Sequence, residues 1–431
     1  MLLNQLSSLF VFLLVTLSTA LKSIVPPKTA LIYDSKITNI EEYTKLLTYL
    51  KDELNLKLST YEYNSEDLSI FKNGELNYQN LIIFPTKARN LGAKGSIKGL
   101  DLVEFFNKGG DVFAITSPQG VSESVRNFYN QLGIYPSPKN HELVDHFNGL
   151  EETDKLIKLS AENNLVLQNN IIESVEGIEF QGSSSLISNN PQIFPIVQAS
   201  TTSYTKNSQG DDDSRPWTVG KEGYLTVGFQ GLNNARSLWL GDISQLNDSK
   251  LGSFGENLLK WTFQFKNILK SIDVSHNHIS GESYEDRQYK VKDEIEYKIT
   301  LQEYDGQVWK PTSIDDLQFE IKLIDPYYRL NLSEISSSAF STTYGVKFAI
   351  PDRHGVYTLQ TIYKRPGYSF IEEAEVLSIR HLANDEYPRS WEITNSWVYL
   401  TSSIVVFTAW FAFVIIFIYI KDDKSNAKKN K

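Results

Sequence analysis

The chain has 431 residues, 41% hydrophobic and 22% charged, which excludes a wholly disordered protein and points to two or three folded units. Its net charge is −10, a poor match for the polyanionic backbone of nucleic acid. Cysteine is absent, which excludes disulfides, thiolate metal sites, iron–sulfur clusters and a cysteine nucleophile.

Residues 6–17 are almost wholly apolar, and Ser18, Thr19 and Ala20 follow with small side chains where a signal peptidase needs them. This predicts a secretory signal peptide over residues 1–20. The run is too short to span a bilayer comfortably, which argues against an N-terminal anchor. Residues 29–33 read as a buried strand ending at Asp34. Residues 40–55 carry Tyr43, Leu46, Leu47, Leu50 and Leu54 on one helical stripe. Strands are expected at 56–63, 81–84 and 112–116, and helices at 100–108 and 122–132. Gly109-Gly110 and Gly133 stand where helix C-caps are expected. Alternating strands and helices imply a parallel sheet with helices on both faces over residues 21–139. Ligands of such sheets lie at the carboxyl ends of the strands, here Asp34-Ser35, Pro85-Thr86-Lys87 and Ser117-Pro118-Gln119.

Residues 140–266 are less regular. Strands at 224–229 and 237–240 and a helix at 254–265 suggest a second α/β portion. Asp211, Asp212 and Asp213 are adjacent rather than spaced as in a calcium loop, so they read as a solvated loop. From 267 to 380 the pattern changes to strict alternation. Ile295, Tyr297, Ile299 and Leu301 share one side, and Tyr304-Asp305-Gly306-Gln307 marks a hairpin turn. The expectation is an antiparallel β-sandwich-like domain, followed by a juxtamembrane segment at 381–397.

Residues 398–420 contain no charge. At 1.5 Å per residue they reach about 34 Å, enough for a hydrocarbon core of about 30 Å. Trp397, Tyr399 and Tyr419 stand at the edges like an aromatic belt. Lys421, Lys424, Lys428, Lys429 and Lys431 follow, and the positive-inside rule places the tail at 421–431 in the cytosol. Lys428 and Lys429 match the dilysine retrieval pattern of endoplasmic reticulum membrane proteins. One transmembrane helix with the bulk of the chain in the lumen is therefore expected. Along that helix Thr401, Val405, Thr408 and Ala412 fall on one face of small residues, suited to close helix packing.

Catalytic motifs are missing. There is no G-x-S-x-G, H-E-x-x-H, G-x-x-x-x-G-K or G-x-G-x-x-G. The G-A-K-G-S at 92–96 has the wrong spacing for a phosphate loop. His276 and His278 lack a third metal ligand in view, and His354 reads as a turn residue. No metal and no cofactor is expected. Asn247 and Asn331 head N-x-S acceptor patterns for N-glycosylation.

Six strings carry a resemblance: IIFPTK at 82–87, GIYPSPK at 133–139, GFQGLNNAR at 228–236, DPYYRL at 325–330, PDRHGV at 351–356 and HLANDEYPRSW at 381–391. Together they resemble the WBP/DDOST family, the non-catalytic single-pass subunit of the eukaryotic oligosaccharyltransferase complex, of fungal type. The resemblance implies an accessory role in transferring a dolichol-linked oligosaccharide to Asn of N-x-S/T in nascent chains. It places catalysis in a separate multi-pass subunit with a W-W-D motif, which is absent here. It implies further partners: a ribophorin II-like subunit and a small defender-against-death-like subunit. It also implies a class I glutamine amidotransferase-like fold for the N-terminal region, without that fold's cysteine nucleophile. On this reading Asp34, Thr86, Lys87 and Ser117 line a glycan- or donor-facing cleft, where Lys87 would meet a diphosphate. The rival classes are a dilysine-tailed lumenal lectin or cargo receptor, and a sugar-active enzyme working through two carboxylates.

Overall fold

The structure, a computed structural model, describes residues 26–150, 154–159, 165–209, 215–387 and 395–420. The expected signal peptide, the three adjacent aspartates, Trp391 and the tail with Lys428 and Lys429 lie outside these residues. In chain order the first strands are β1 (Lys28–Tyr33), β2 (Lys57–Glu62), β3 (Asn80–Ile83), β4 (Asp111–Ile115), β5 (Ile134–Pro136) and β6 (His141–Val144). They continue with β7 (Ser185–Ile187), β8 (Ile193–Gln198), β9 (Tyr204–Asn207), β10 (Tyr224–Gln230) and β11 (Arg236–Leu240). The helices are α1 (Thr44–Thr48), α2 (Gly99–Asn107), α3 (Glu123–Leu132) and α4 (Ser253–Thr262).

Nine strands form one sheet in the order β2-β1-β3-β4-β11-β10-β7-β5, with β8 also paired to β10. It draws strands from both sides of residue 139. The pairs β2-β1, β1-β3, β3-β4 and β4-β11 are parallel. The expected parallel sheet is therefore mixed, because the remaining pairs are antiparallel. The cause is local: β10 and β11 are joined by residues 231–235, too short for the crossover that parallel neighbours need.

Strand alternation sorts the core into two layers. Leu31, Ile82, Phe113, Leu238 and Leu240 pack on one face with Tyr43, Leu46, Leu50 and Leu258. Ala30, Ile32, Leu81, Ile83, Val112 and Ala114 pack on the other with Leu102, Phe105, Val125 and Phe128. Helices thus cover both faces, which is why β3, β4 and β11 read as unbroken buried runs. The helix expected over 40–55 is a 3-10 turn at Ile40–Tyr43, then α1, then a π turn at Tyr49–Glu53. Leu46, Leu50 and Leu54 repeat every fourth residue, slower than a 3.6-residue turn, and the wider last turn keeps them in line.

The following strands are β12 (Ile268–His278), β13 (Glu294–Tyr304), β14 (Trp309–Pro311), β15 (Gln318–Lys322) and β16 (Pro326–Asn331). The last are β17 (Ser333–Ser337), β18 (Thr342–Ala349), β19 (Gly355–Tyr363) and β20 (Ile371–Ile379). They form two antiparallel sheets, β12-β13-β18-β17 with β14 on β13, and β16-β15-β19-β20. One core joins them: Ile295, Tyr297, Ile299 and Leu301 of the first face Phe319, Ile321, Tyr357 and Leu359 of the second. Gly306, at φ 85, makes the turn between β13 and β14 that the sequence predicts. The chain ends its described course in α5 (Ser396–Tyr419), 24 residues, apolar on all faces and buried nowhere. Among the described residues it is the one helix long and apolar enough to cross a membrane.

Candidate functional site

The carboxyl ends of β1, β3, β4 and β11 converge on one edge of the sheet. Asp34 is 1% exposed there. Its Oδ2 accepts from the Thr86 hydroxyl at 3.2 Å and the Lys87 N–H at 3.1 Å, and its Oδ1 from the Lys36 N–H at 3.0 Å. Thr86 Oγ1 in turn accepts from the Ala88 N–H at 3.1 Å. Asp34, Thr86 and Lys87 are therefore brought together, and they tie the ends of β1 and β3. The Lys87 side chain is exposed. Ser117 Oγ makes no hydrogen bond to them; its backbone pairs with Gly120, which packs against Thr86.

Ser117 lines a cavity of about 240 Å³ with Ile37, Gln119, Glu142, Lys155 and Asp242. A second cavity of about 280 Å³ shares Glu142 and Lys155 and adds Val144, His146 and Tyr204. The two meet at the Glu142–Lys155 ion pair, 2.6 Å long. Gly182 and Gly241 let two chain segments cross beneath: a Cβ on Gly182 would lie 2.1 Å from the Gly241 oxygen, and one on Gly241 2.0 Å from the Ser183 oxygen. Asp242 is buried, and burial pushes its carboxyl up. The N–H groups of Gln181 and Ser244, the Ser244 hydroxyl and the Gln245 amide oppose that shift. The loop after β6 hangs on Asp145, whose carboxylate accepts from Phe147 N–H, Asn148, Ser200 and Thr202. These bonds outweigh its burial and hold it below the usual carboxylate range.

The string at 228–236 explains itself in space. Asn233 donates to the carbonyls of Phe106 at 3.0 Å and Asn107 at 3.1 Å, closing α2. Asn234, at φ 64, clasps the backbone of Phe370, accepting its N–H at 2.7 Å and donating to its oxygen at 3.1 Å. Arg236 is 1% exposed. Its guanidinium donates to the oxygens of Trp261 at 2.8 Å, Lys266 at 2.7 Å and Asn267 at 2.9 Å, and lies 5.0 Å from the Trp261 ring centre. Trp261 Nε1 reaches the Gly367 oxygen at 2.8 Å. These bonds lock the α/β region to the antiparallel sheets. The sequence alone marks the string but assigns none of these roles.

Beyond β20, Arg380 grips Glu386 with two bonds of 2.6 Å, and the Ala383 N–H adds a third at 2.9 Å. The Arg380 fork foremost, and the Ala383 N–H after it, hold the Glu386 carboxyl down at about 2. The start of the segment leading to α5 is thereby pinned to the sheets. His276 meets the Tyr289 hydroxyl at 2.8 Å and Glu375 at 3.1 Å, whereas His278 meets the Arg287 oxygen at 3.0 Å. Both rings lie edge-on against Tyr289, and among the described residues no three His, Asp or Glu side chains are grouped to hold a metal. Asn331 is exposed at the end of β16, where its Oδ1 accepts from Gln318 at 3.0 Å. Asn247 is half-buried, next to an Asp248 bonded to Thr44 and Lys45. On α5, the hydroxyls of Thr401 and Thr408 donate to their own helix carbonyls at Trp397 and Ile404, both at 2.7 Å.

Known proteins match this chain along most of its length. The OST48 N-terminal domain matches residues 20–265, and the OST48 middle domain residues 276–421. Subunit WBP1 of the Saccharomyces cerevisiae dolichyl-diphosphooligosaccharide–protein glycosyltransferase is 40% identical over 403 residues, covering 91% of each chain. The Schizosaccharomyces pombe subunit wbp1 is 29% identical over 405 residues, covering 90% of this chain and 91% of its own. The Danio rerio 48 kDa subunit of the same enzyme is 26% identical over 383 residues, covering 83% and 84%. With both domain matches and an end-to-end relative at this identity, the chain belongs to the OST48 family, that of WBP1 and the 48 kDa subunits.

Proposed function

We propose that this chain is a non-catalytic subunit of an oligosaccharyltransferase complex. It supports assembly and the positioning of donor and acceptor while a dolichol-linked oligosaccharide is transferred to Asn of N-x-S/T. The end-to-end identity of 40% with the WBP1 subunit carries this reading. The chain sits in the endoplasmic reticulum membrane through α5, with its sheets in the lumen and Lys428 and Lys429 retrieving it from the cytosolic side. Its partners are a multi-pass catalytic subunit, a ribophorin II-like subunit and a small defender-against-death-like subunit. The parallel core β2-β1-β3-β4-β11 with helices on both faces supports a glutamine amidotransferase-like ancestry for the N-terminal region. The two antiparallel sheets over one core support a sandwich. Depleting the chain from microsomes should lower transfer to an N-x-T peptide, and re-expression should restore it. Undiminished transfer in depleted membranes contradicts the proposal.

Two smaller expectations follow. The face Thr401, Val405, Thr408 and Ala412 receives a partner helix, and the threonine hydroxyls, already bonded within α5, leave it nearly apolar. Thr408→Trp should release partner subunits on mild detergent extraction; an intact complex would remove this face from the interface. The edge formed by Asp34, Thr86, Lys87 and Ser117 faces the glycan donor. Lys87→Ala should lower transfer while leaving thermal stability within about 0.5 kcal/mol, as for an exposed side chain. Thr86→Ala should cost about 1 kcal/mol through the lost bond to Asp34. Unchanged transfer in both variants removes this edge from the donor site.

A further inference from the structure

We infer that the end of the two antiparallel sheets from which the chain leaves for α5 rests on the lumenal face of the bilayer, with Ile324, Tyr327, Tyr328 and Val356 entering the lipid headgroup layer. Strand direction fixes which end this is. β20 finishes at Ile379, opposite Gly355 at the start of β19. Lys322, the last residue of β15, lies opposite Thr358 of β19 and Pro326 of β16. The turn at 323–325 therefore stands at the same end, and a Cβ on Gly355 would lie 2.8 Å from Leu323 Cδ1. The other end meets the α/β region, where Asn234 holds Phe370 and Trp261 holds Gly367. The tether to α5 is short. The Arg380–Glu386 bonds, and a Tyr387 hydroxyl 3.1 Å from His381 Nδ1, keep the chain at the exit end as far as Tyr387. Residues 388–394 then lead to Asn395, and eight peptide units reach at most about 28 Å.

The chemistry of this end fits lipid. Ile324 is 88% exposed at the tip of a turn, a position that water-facing turns give to Gly, Asn or Asp. Val356 is 59% exposed. Tyr327 and Tyr328 follow the turn, both exposed, with ring centres 5.1 Å apart and edges to faces. A tyrosine has an apolar body and a polar tip, which suits the boundary between acyl chains and water. Charge attraction contributes little here. Lys292 is paired with Asp352 at 2.8 Å, Arg380 is paired with Glu386, and Asp325 adds a negative charge beside Ile324. The surface therefore takes a zwitterionic lipid layer through apolar and aromatic contact. A bilayer touching this end holds the α/β region at its distance, because nine-residue β20 separates the two ends by roughly 30 Å.

The absence of cysteine allows one probe at a time to be placed on the full chain. Ile324→Cys, Tyr328→Cys and Val308→Cys are labelled with a nitrobenzoxadiazole dye and reconstituted into phosphatidylcholine nanodiscs. Val308 is the control, exposed in the turn between β13 and β14 at the opposite end. Labels at 324 and 328 should lose at least about half their emission to lipids carrying a nitroxide roughly 5–10 Å deep, and the label at 308 should lose none. Adding Ile324→Asp/Val356→Asp, which changes exposed side chains only, should return the label at 328 to the level of 308. Equal quenching at 324 and 308, unchanged quenching in the double variant, or quenching that needs anionic lipid overturns the inference. So does a label at 324 that is shielded from both lipid nitroxide and aqueous iodide in the complex purified from microsomes, since a protein partner then covers this end.

Discussion

Arg236→Met is expected to destabilise the protein by about 3–5 kcal/mol, the cost of removing one partner from a buried charged network. The guanidinium serves the carbonyls of Trp261, Lys266 and Asn267, where α4 ends and the chain passes into β12. Methionine fills the space but donates nothing, so the Lys266 oxygen loses the guanidinium outright, and the oxygens of Trp261 and Asn267 keep only the N–H groups of Gln264 and Ser369. Arg236→Lys keeps the charge without the planar fork and should recover only part of the loss. Thermal midpoints read by tryptophan fluorescence check this, because Trp261 lies against the guanidinium. Proteolysis near residues 263–268 should accelerate in step. A midpoint unchanged in Arg236→Met would show that the carbonyls find other donors and that this hub does not hold the two regions together.

Asp111→Asn is expected to flatten the pH dependence of stability between about pH 4 and about pH 7. Asp111 begins β4, is buried, and accepts from the Arg236 N–H at 2.7 Å and the Gln264 amide at 3.2 Å. Burial pushes its carboxyl up to about 7, against the pull of these bonds and of the Arg236 charge. Arg236 itself is pushed down to about 10 by burial. Both shifts favour the neutral forms, and the guanidinium is bonded to carbonyls rather than to this carboxylate. The sign follows from proton uptake. Between the ordinary carboxylate range and about 7 the folded protein holds a proton that the unfolded chain has released, so stability falls as pH rises, by up to about 4 kcal/mol. Asparagine keeps one acceptor for the Arg236 N–H and cannot ionise. The difference between wild type and Asp111→Asn in thermal midpoint, followed from about pH 4.5 to about pH 7.5, isolates this group. A constant difference across that window would mean that Asp111 ionises normally.

Glu386 has the opposite sign. Its carboxyl is held at about 2, so the Arg380 clamp contributes fully above the ordinary glutamate range and is lost as pH falls toward 2. The start of the juxtamembrane segment, at Ala383 and Glu386, therefore stays pinned throughout the near-neutral range.

Periodicity made much of the fold legible. The stripe through Tyr43, Leu46 and Leu50 and the alternation through Ile295, Tyr297 and Ile299 each mark a buried face, and burial enforces a period. Gly133, at φ 89, ends α3 where the sequence places a cap. Parallel neighbours bring their carboxyl ends together, so strand order alone places Asp34 and Thr86 on one edge. The two cavities beside Ser117 were far less legible. Ser117 was within reach of that rule, but Glu142, Lys155, Gln181 and Tyr204 come from residues 140–266, where the regular elements are short and irregular backbone is held by side chains such as Asp145 and Asp242. No period marks such contacts. The Arg236 hub was hidden for a related reason: an arginine at the head of a strand looks exposed until the carbonyls of a distant helix end surround it.

Membership of a working complex is the central claim, and a mild-detergent pulldown of the tagged chain from microsomes tests it most directly. Proteins are identified by mass spectrometry, and glycan transfer to an N-x-T peptide is assayed on the same eluate. The account predicts a multi-pass W-W-D subunit in the eluate together with transfer activity. Recovery of the chain alone, folded and without transfer, would contradict it.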